Sequence, residues 1–193
     1  DISDIMSPLK DKFAPNTLET TYLLNGKTNA RAYYAFPLKQ QTMHINYWKD
    51  MLEKAGLKES DIPTGWDDYW NFWCDKVQPA VRKATGQRVY GIGAPMGVDS
   101  SDSFYSFLTF MDAYNVKLVD DNGKLLVDDP KVKEGLVKAL KDYTDVYTKG
   151  CTPPSSTTWK DPDNNVAFHN KTIAMTHNYT ISIAAKWLDD ANN

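Results

Sequence analysis

Ten residues, Val98 to Phe107, read VDSSDSFYSF and hold two Asp, four Ser and three aromatic rings directly after a glycine-broken apolar run, VYGIGAPMG. Asp99 and Asp102 could act as a pair of carboxylates on a glycosidic bond, one as acid and one as base or nucleophile. Ser100, Ser101 and Ser103 could supply a nucleophile, but no GxSxG elbow surrounds them, so acyl transfer has little support. The same groups suit a task that needs no chemistry. Carboxylates and hydroxyls take the hydroxyls of a polyol, while the faces of Phe104 and Tyr105 cover its apolar side. Asp99, Ser100, Asp102, Ser103 and Tyr105 are therefore candidate ligand contacts. A helix cap on a solvated loop draws on the same residue types, so this stretch alone leaves capping and binding open.

Two further stretches offer similar chemistry. In HNYTIS, Asn178 and Tyr179 follow an apolar β-favouring run and precede a helical pattern. In LKQQTM, Gln40 and Gln41 stand just past another strand-like run. Both places put side-chain amides or a ring at the end of a strand, where α/β sheets hold their ligands. The glycines of GIGAPMG do not make GxGxxG and no GK[ST] occurs, which argues against a nucleotide. His44, His169 and His177 are scattered and are given structural roles. Cys74 and Cys151 have no metal-ligand spacing and fit either two buried thiols or one bridge. No metal or other cofactor is expected. NKT (170–172) and NYT (178–180) are glycosylation sequons that matter only in a eukaryotic secretory setting.

With 22 Lys and Arg against 25 Asp and Glu, the net charge of −3 disfavours nucleic acid. No apolar run is long enough to cross a membrane. Aromatic content is 12 %, with six Trp and eleven Tyr, a heavy supply of flat amphipathic side chains.

The elements that must position these residues follow from periodicity and punctuation. Residues 1–30 are polar and turn-rich with short helical signals. A strand over 31–40 stops at Pro37. A helix over 42–56 carries Ile45, Trp48, Met51, Leu52 and Ala55 on one face and ends at Gly56. An aromatic helix is capped by Thr64 with Asp67 at N3, and Pro79 kinks or restarts it. A buried strand over 87–96 leads to a helix starting near Ser101 or Asp102. A hairpin turns on Asp121-Asn122-Gly123. The strongest helix has Asp129 as cap, Pro130 at N1, a stripe of Val132, Leu136, Leu140 and Tyr143, and Gly150 as its stop. A short helix, a strand over 172–178 and a last helix over 180–190 complete the order. Strands separated by helices predict an α/β domain with a central sheet. Three strand ends, at 37–42, 95–103 and 177–180, should then face one groove.

The run YYAFPLKQQTMHINYWKDMLEKAGLKESDIPTGWDDYW resembles the bacterial extracellular solute-binding proteins, the family 1 sugar receptors of ABC importers. VAFHNKTIAMTHNYTISIAAKW is similar to that family's strand feeding a helix at its cleft, and VYGIGAPM falls where its members place a ligand loop. The resemblance covers residues 31–190. It implies a type II periplasmic-binding-protein fold, with residues 1–36 as the tail of a first lobe and a hinge strand, and 37–193 as most of a second lobe. The chain would be the central part of a longer receptor. The resemblance further implies capture of a sugar or polyol by cleft closure, no enzyme activity, a periplasmic monomer, and delivery to permease subunits in the inner membrane. It carries ligand roles to Gln40, Gln41, Asp99–Tyr105, Asn178 and Tyr179. Ile181 stands where maltose-type receptors place a stacking Trp, which leaves Tyr179 or Trp159 to supply that ring. The rival functions are a glycoside hydrolase using Asp99 and Asp102, and a self-contained carbohydrate-binding module. Within the receptor reading, the acidic loop also admits a polyamine or organic ion.

Overall fold

The computed structural model describes residues 1–14, 16–38 and 42–189, and the chain separates into two compact units, residues 1–42 and 43–193. Gln40 and Gln41 lie outside the described residues.

The first unit holds α1 (Ser3–Met6) and a hairpin of β1 (Tyr22–Asn25) and β2 (Ala30–Tyr33). Tyr22 faces Tyr33 with ring centroids 4.8 Å apart, a cross-strand pair of the kind that holds small sheets together. β1 was not legible in the sequence. Its Tyr-Leu-Leu core was hidden by the polar segments on both sides, and pairing with β2 decides it. β2 also ends at Tyr33, short of Pro37.

The second unit is built on a three-stranded sheet in the order β3 (His44–Tyr47), β5 (Ile173–Asn178), β4 (Tyr90–Gly93). β4 and β5 are parallel, and β3 is antiparallel to β5. Here the structure corrects the sequence: 44–47 is a strand, and α2 is only Lys49–Lys54. Ile45, expected on a buried helix face, is half exposed, whereas Met51 and Leu52 are buried as expected. A four-residue apolar spacing fits either period, and hydrogen bonds to a strand some 130 residues later settle the matter.

α3 (Trp66–Asn71) starts behind Gly65 and has no side-chain cap, so Thr64 is not its N-cap. A π-helical stretch (Phe72–Val77) follows, and α4 (Gln78–Thr85) restarts with Pro79 in its first turn. The extra residue in that turn directs Phe72, Trp73, Cys74 and Val77 inward together. The cysteines form a disulfide, Cys74–Cys151, with Cα atoms 5.0 Å apart. α5 (Ser101–Ala113) begins as expected. The hairpin does not form as strands: one bridge, Val119 to Leu125, closes the turn, and both side chains are exposed, leaving no core to reward further pairing.

α6 (Pro130–Thr148) is capped by the Asp129 carboxylate, which accepts from the Lys131 and Val132 amides. Its buried line is Gly135, Ala139 and Val146, and Leu140 is half exposed. The small residues admit α5 closely, and Leu140 lies off that contact. α7 (Asp163–His169) and α8 (Ser182–Asp189) flank β5 in sequence. Among the described residues no helix is long and apolar enough to cross a membrane.

β4 and β5 are almost continuously buried, which suits parallel strands covered on both faces. Leu52, Trp73, Val77, Val81, Ile92 and Met175 pack in the main cluster, and Tyr90, Trp159, Phe168, Ile173 and Ile183 in a second. The glycines that raised the nucleotide question serve this packing. A Cβ at Gly91 would lie 2.0 Å from the Trp73 carbonyl oxygen, and one at Gly97 2.1 Å from that of Trp159.

Candidate ligand-binding site

Register places two of the three strand ends together. Gly93 at the end of β4 pairs with Thr176, and Asn178 at the end of β5 pairs with His44 at the start of β3. The loops leaving β4 and β5 therefore emerge from one edge of the sheet. Buried Thr176 ties them: its hydroxyl donates to the Gly93 carbonyl at 2.7 Å and accepts from the Asn164 amide at 3.3 Å. The third expected segment contains Gln40 and Gln41, which are not described.

At the start of α5 the serines have a local task. Asp161, sixty residues downstream, accepts hydrogen bonds from the Ser100 hydroxyl (2.7 Å), the Ser101 hydroxyl (2.7 Å) and the Asp102 amide (3.1 Å). Ser103 donates to the Gly97 carbonyl at 2.8 Å. A carboxylate borrowed from another loop thus caps α5, and the Ser100 and Ser103 hydroxyls hold the loop instead of pointing outward. Asp161 was not found from sequence, because KDPDN looks like any polar turn and nothing local encodes its partner.

These hydrogen bonds, that of Ser101 foremost, hold the Asp161 carboxyl below the usual range. Asp102, by contrast, is pushed up to about 6, first by burial and then by the charge of Asp161. Two neighbouring carboxylates with separated pKa values can mark an acid–base pair. Here the ionised partner is saturated by three donors, which leaves it poorly placed to attack or to activate water.

Beyond the cap lies an aromatic rim. Phe104 and Tyr105 are exposed, with ring centroids 5.8 Å apart. Tyr179, on the loop after β5, stands 4.9 Å from the Tyr105 ring and donates its hydroxyl to the Tyr105 carbonyl at 2.8 Å. The two loops meet through this pair. Asp99 is exposed on the loop before α5, and Asp102 is half buried in its first turn. Asn178 is buried: its side-chain oxygen Oδ1 accepts from the Thr180 amide (2.7 Å) and hydroxyl (2.8 Å), and its NH₂ donates to the Asn165 side chain. It shapes the turn that presents Tyr179. Thr180 and Ser182 bond to each other, and Asn165 donates to Ser182, a polar knot that sequence reasoning missed. Trp159 is buried in the second cluster and is not a rim aromatic.

Under the edge, His177 stacks on Tyr69 with ring centroids 5.9 Å apart and meets its hydroxyl at 3.1 Å. Burial pushes its pKa down to about 4, so it is neutral at ordinary pH. Among the described residues no group of three His, Cys, Asp or Glu could hold a metal ion.

The arrangement is a polar, aromatic edge with one half-buried carboxyl and no assembled nucleophile, suited to holding a hydroxylated ring. The family described as "Bacterial extracellular solute-binding protein" matches residues 1–193. The arabinooligosaccharide-binding protein of Bacillus subtilis is 33 % identical over 143 residues, which is 74 % of this chain and 28 % of that one. A solute-binding protein of Thermotoga lettingae solved with α-D-tagatose superposes with a TM-score of 0.74 at 23 % identity, over 100 % of this chain and 46 % of its own. Maltose-bound MalE3 of T. maritima gives 0.68 at 23 % identity, over 92 % and 41 %. The chain thus spans less than half the length of these proteins. The superpositions bear out the expected α/β fold of the type II periplasmic binding proteins.

Proposed function

Because the chain belongs to the bacterial extracellular solute-binding protein family, we propose that it forms the second-lobe side of a sugar or polyol receptor of an ABC importer. The observation that carries this is the Phe104–Tyr105–Tyr179 rim beside half-buried Asp102 at a single sheet edge. Tyr105 and Tyr179 would cover a sugar ring, and Asp99 and Asp102 would take its hydroxyls. Ser100, Ser103 and Asn178 hold this surface in shape. Gln40 and Gln41 remain candidate contacts from the chain entering β3. Relatives support the ligand class: one is an arabinooligosaccharide-binding protein, and solved neighbours carry maltose and tagatose. Closure is favoured because only the closed form contacts the ligand from both lobes, and the closed form would then be handed to a permease. In this reading the protein is not an enzyme and works as a monomer outside the inner membrane.

A thermal-shift screen of the full-length protein against mono- and oligosaccharides, polyols and polyamines tests this. A bound sugar should raise the melting temperature by mass action. Tyr179→Ala and Asp102→Ala should each abolish the shift. A sugar shift untouched by both would sink the site, and a shift with polyamines alone would sink the ligand class.

A further inference from the structure

The opposite end of the same sheet carries a different chemistry. Tyr90, the first residue of β4, pairs with Ile173, the first of β5, so it lies at the far edge from Gly93 and Asn178. Two of the chain's three arginines converge on its buried ring: the Arg82 guanidinium lies 5.0 Å and that of Arg88 5.6 Å from the centroid. Arg82 is fixed by donating its Nε–H to the Val89 carbonyl at 2.6 Å. Neither forms an ion pair with any described carboxylate. Asp163, the acidic residue at this place, is engaged by the Lys160 amide at 2.7 Å. A groove of about 530 Å³ opens beside Arg88 and Tyr90, with Pro153, Pro154, Trp159 and Val166 as its apolar wall. A second depression of about 310 Å³ shares Arg88, Tyr90 and Pro154 and reaches Arg82.

Both guanidiniums lie against one ring with no described carboxylate partner, and Arg88 lines both hollows, where an anion would compensate its charge. Their planar donor forks match the two oxygens of a carboxylate or phosphate. The apolar wall next to them suits an uncharged body attached to that group. We propose that this groove binds a small organic oxyanion, a carboxylate or phosphate monoester on an apolar body, at a site separate from the sugar edge.

The test is an NMR titration of the full-length protein with phenylphosphate, benzoate and neutral benzyl alcohol, following the Tyr90 amide and the Trp159 indole N–H. At least one anion should give saturable shifts at both probes, and the tighter of the two identifies the headgroup. Benzyl alcohol should give none. Arg88→Gln, a substitution of an exposed side chain, should leave the melting temperature unchanged and weaken the anion about tenfold, the effect of one charge-assisted hydrogen bond. Arg88→Lys should recover only part of the loss, because it keeps the charge without the fork. Shifts from neither anion, equal shifts from benzyl alcohol, or an unaltered Kd in Arg88→Gln would each overturn the site.

Discussion

The two ends of the three-stranded sheet differ in what they ask of their charged groups. At the carboxyl ends of β4 and β5, Asp161 is saturated by hydroxyl and amide donors, and the polar groups of Ser100, Ser103 and Asn178 are used to hold loops in place. The side chains left over for a ligand are rings and the carboxyls of Asp99 and Asp102. At the amino end, the arginines have no described carboxylate partner, and their guanidiniums lie against the Tyr90 ring with one Nε–H bonded to a carbonyl. One end is organised by internal polar bonds and presents aromatic rings beside two carboxyls. The other is held by packing and keeps its charge free.

The disulfide should support both ends equally. Cys151 accepts the Ile92 amide through its carbonyl, and Thr152 accepts the Ala94 amide through its hydroxyl, so this segment runs beside the length of β4. Replacing both cysteines by Ser should cost about 4 kcal/mol from the freed chain, read by denaturant melts. Amide exchange at Tyr90 and Asp102 should accelerate together, and acceleration at one alone would break the comparison.

Thr176→Val should act on the carboxyl end only. It removes the donor to the Gly93 carbonyl and leaves the Asn164 amide with the His177 carbonyl alone, a loss of about 1 kcal/mol, and should quicken exchange at Asp102 far more than at Tyr90.

Acidity separates two opposing contributions at this end. His177, with its pKa lowered to about 4, adds stability that is complete above the unfolded value of 6.5 and is lost as pH falls from there toward 4. Asp102, raised to about 6, does the reverse: the folded chain holds its proton more tightly, so stability rises as pH falls from about 6 toward 3.8. Each is on the order of 1 to 2 kcal/mol once solvent screening is allowed for. The parent protein should show a shallow profile between pH 4 and 6.5. Asp102→Asn should become clearly less stable on acidification, and His177→Gln more stable. Parallel profiles for the two variants would refute the opposition.

Asp161→Ala should have a comparably small effect on global stability, about 1 kcal/mol, typical of a lost helix cap. It should nevertheless weaken sugar capture several-fold by loosening the start of α5, measured by calorimetry, while leaving phenylphosphate binding unaltered.

What the sequence determined by itself was local. Asp129-Pro130 opened α6 as expected because a cap acts on the next few amides, and Pro79 restarted a helix because its ring forbids the preceding hydrogen bond. The crowding of Asp, Ser and aromatic residues at 98–107 marked a helix start and an edge, and the resemblance to solute-binding receptors rested on motifs of the same short range. Tertiary structure alone decided which of those groups are free. That Ser100 and Ser101 answer to Asp161, that Asn178 is buried in its own turn, that 44–47 pairs as a strand and that Arg88 meets Tyr90 beside Trp159 all depend on contacts between distant segments. A side chain's type states which bonds it can make; only the assembled neighbours decide which of them are already made.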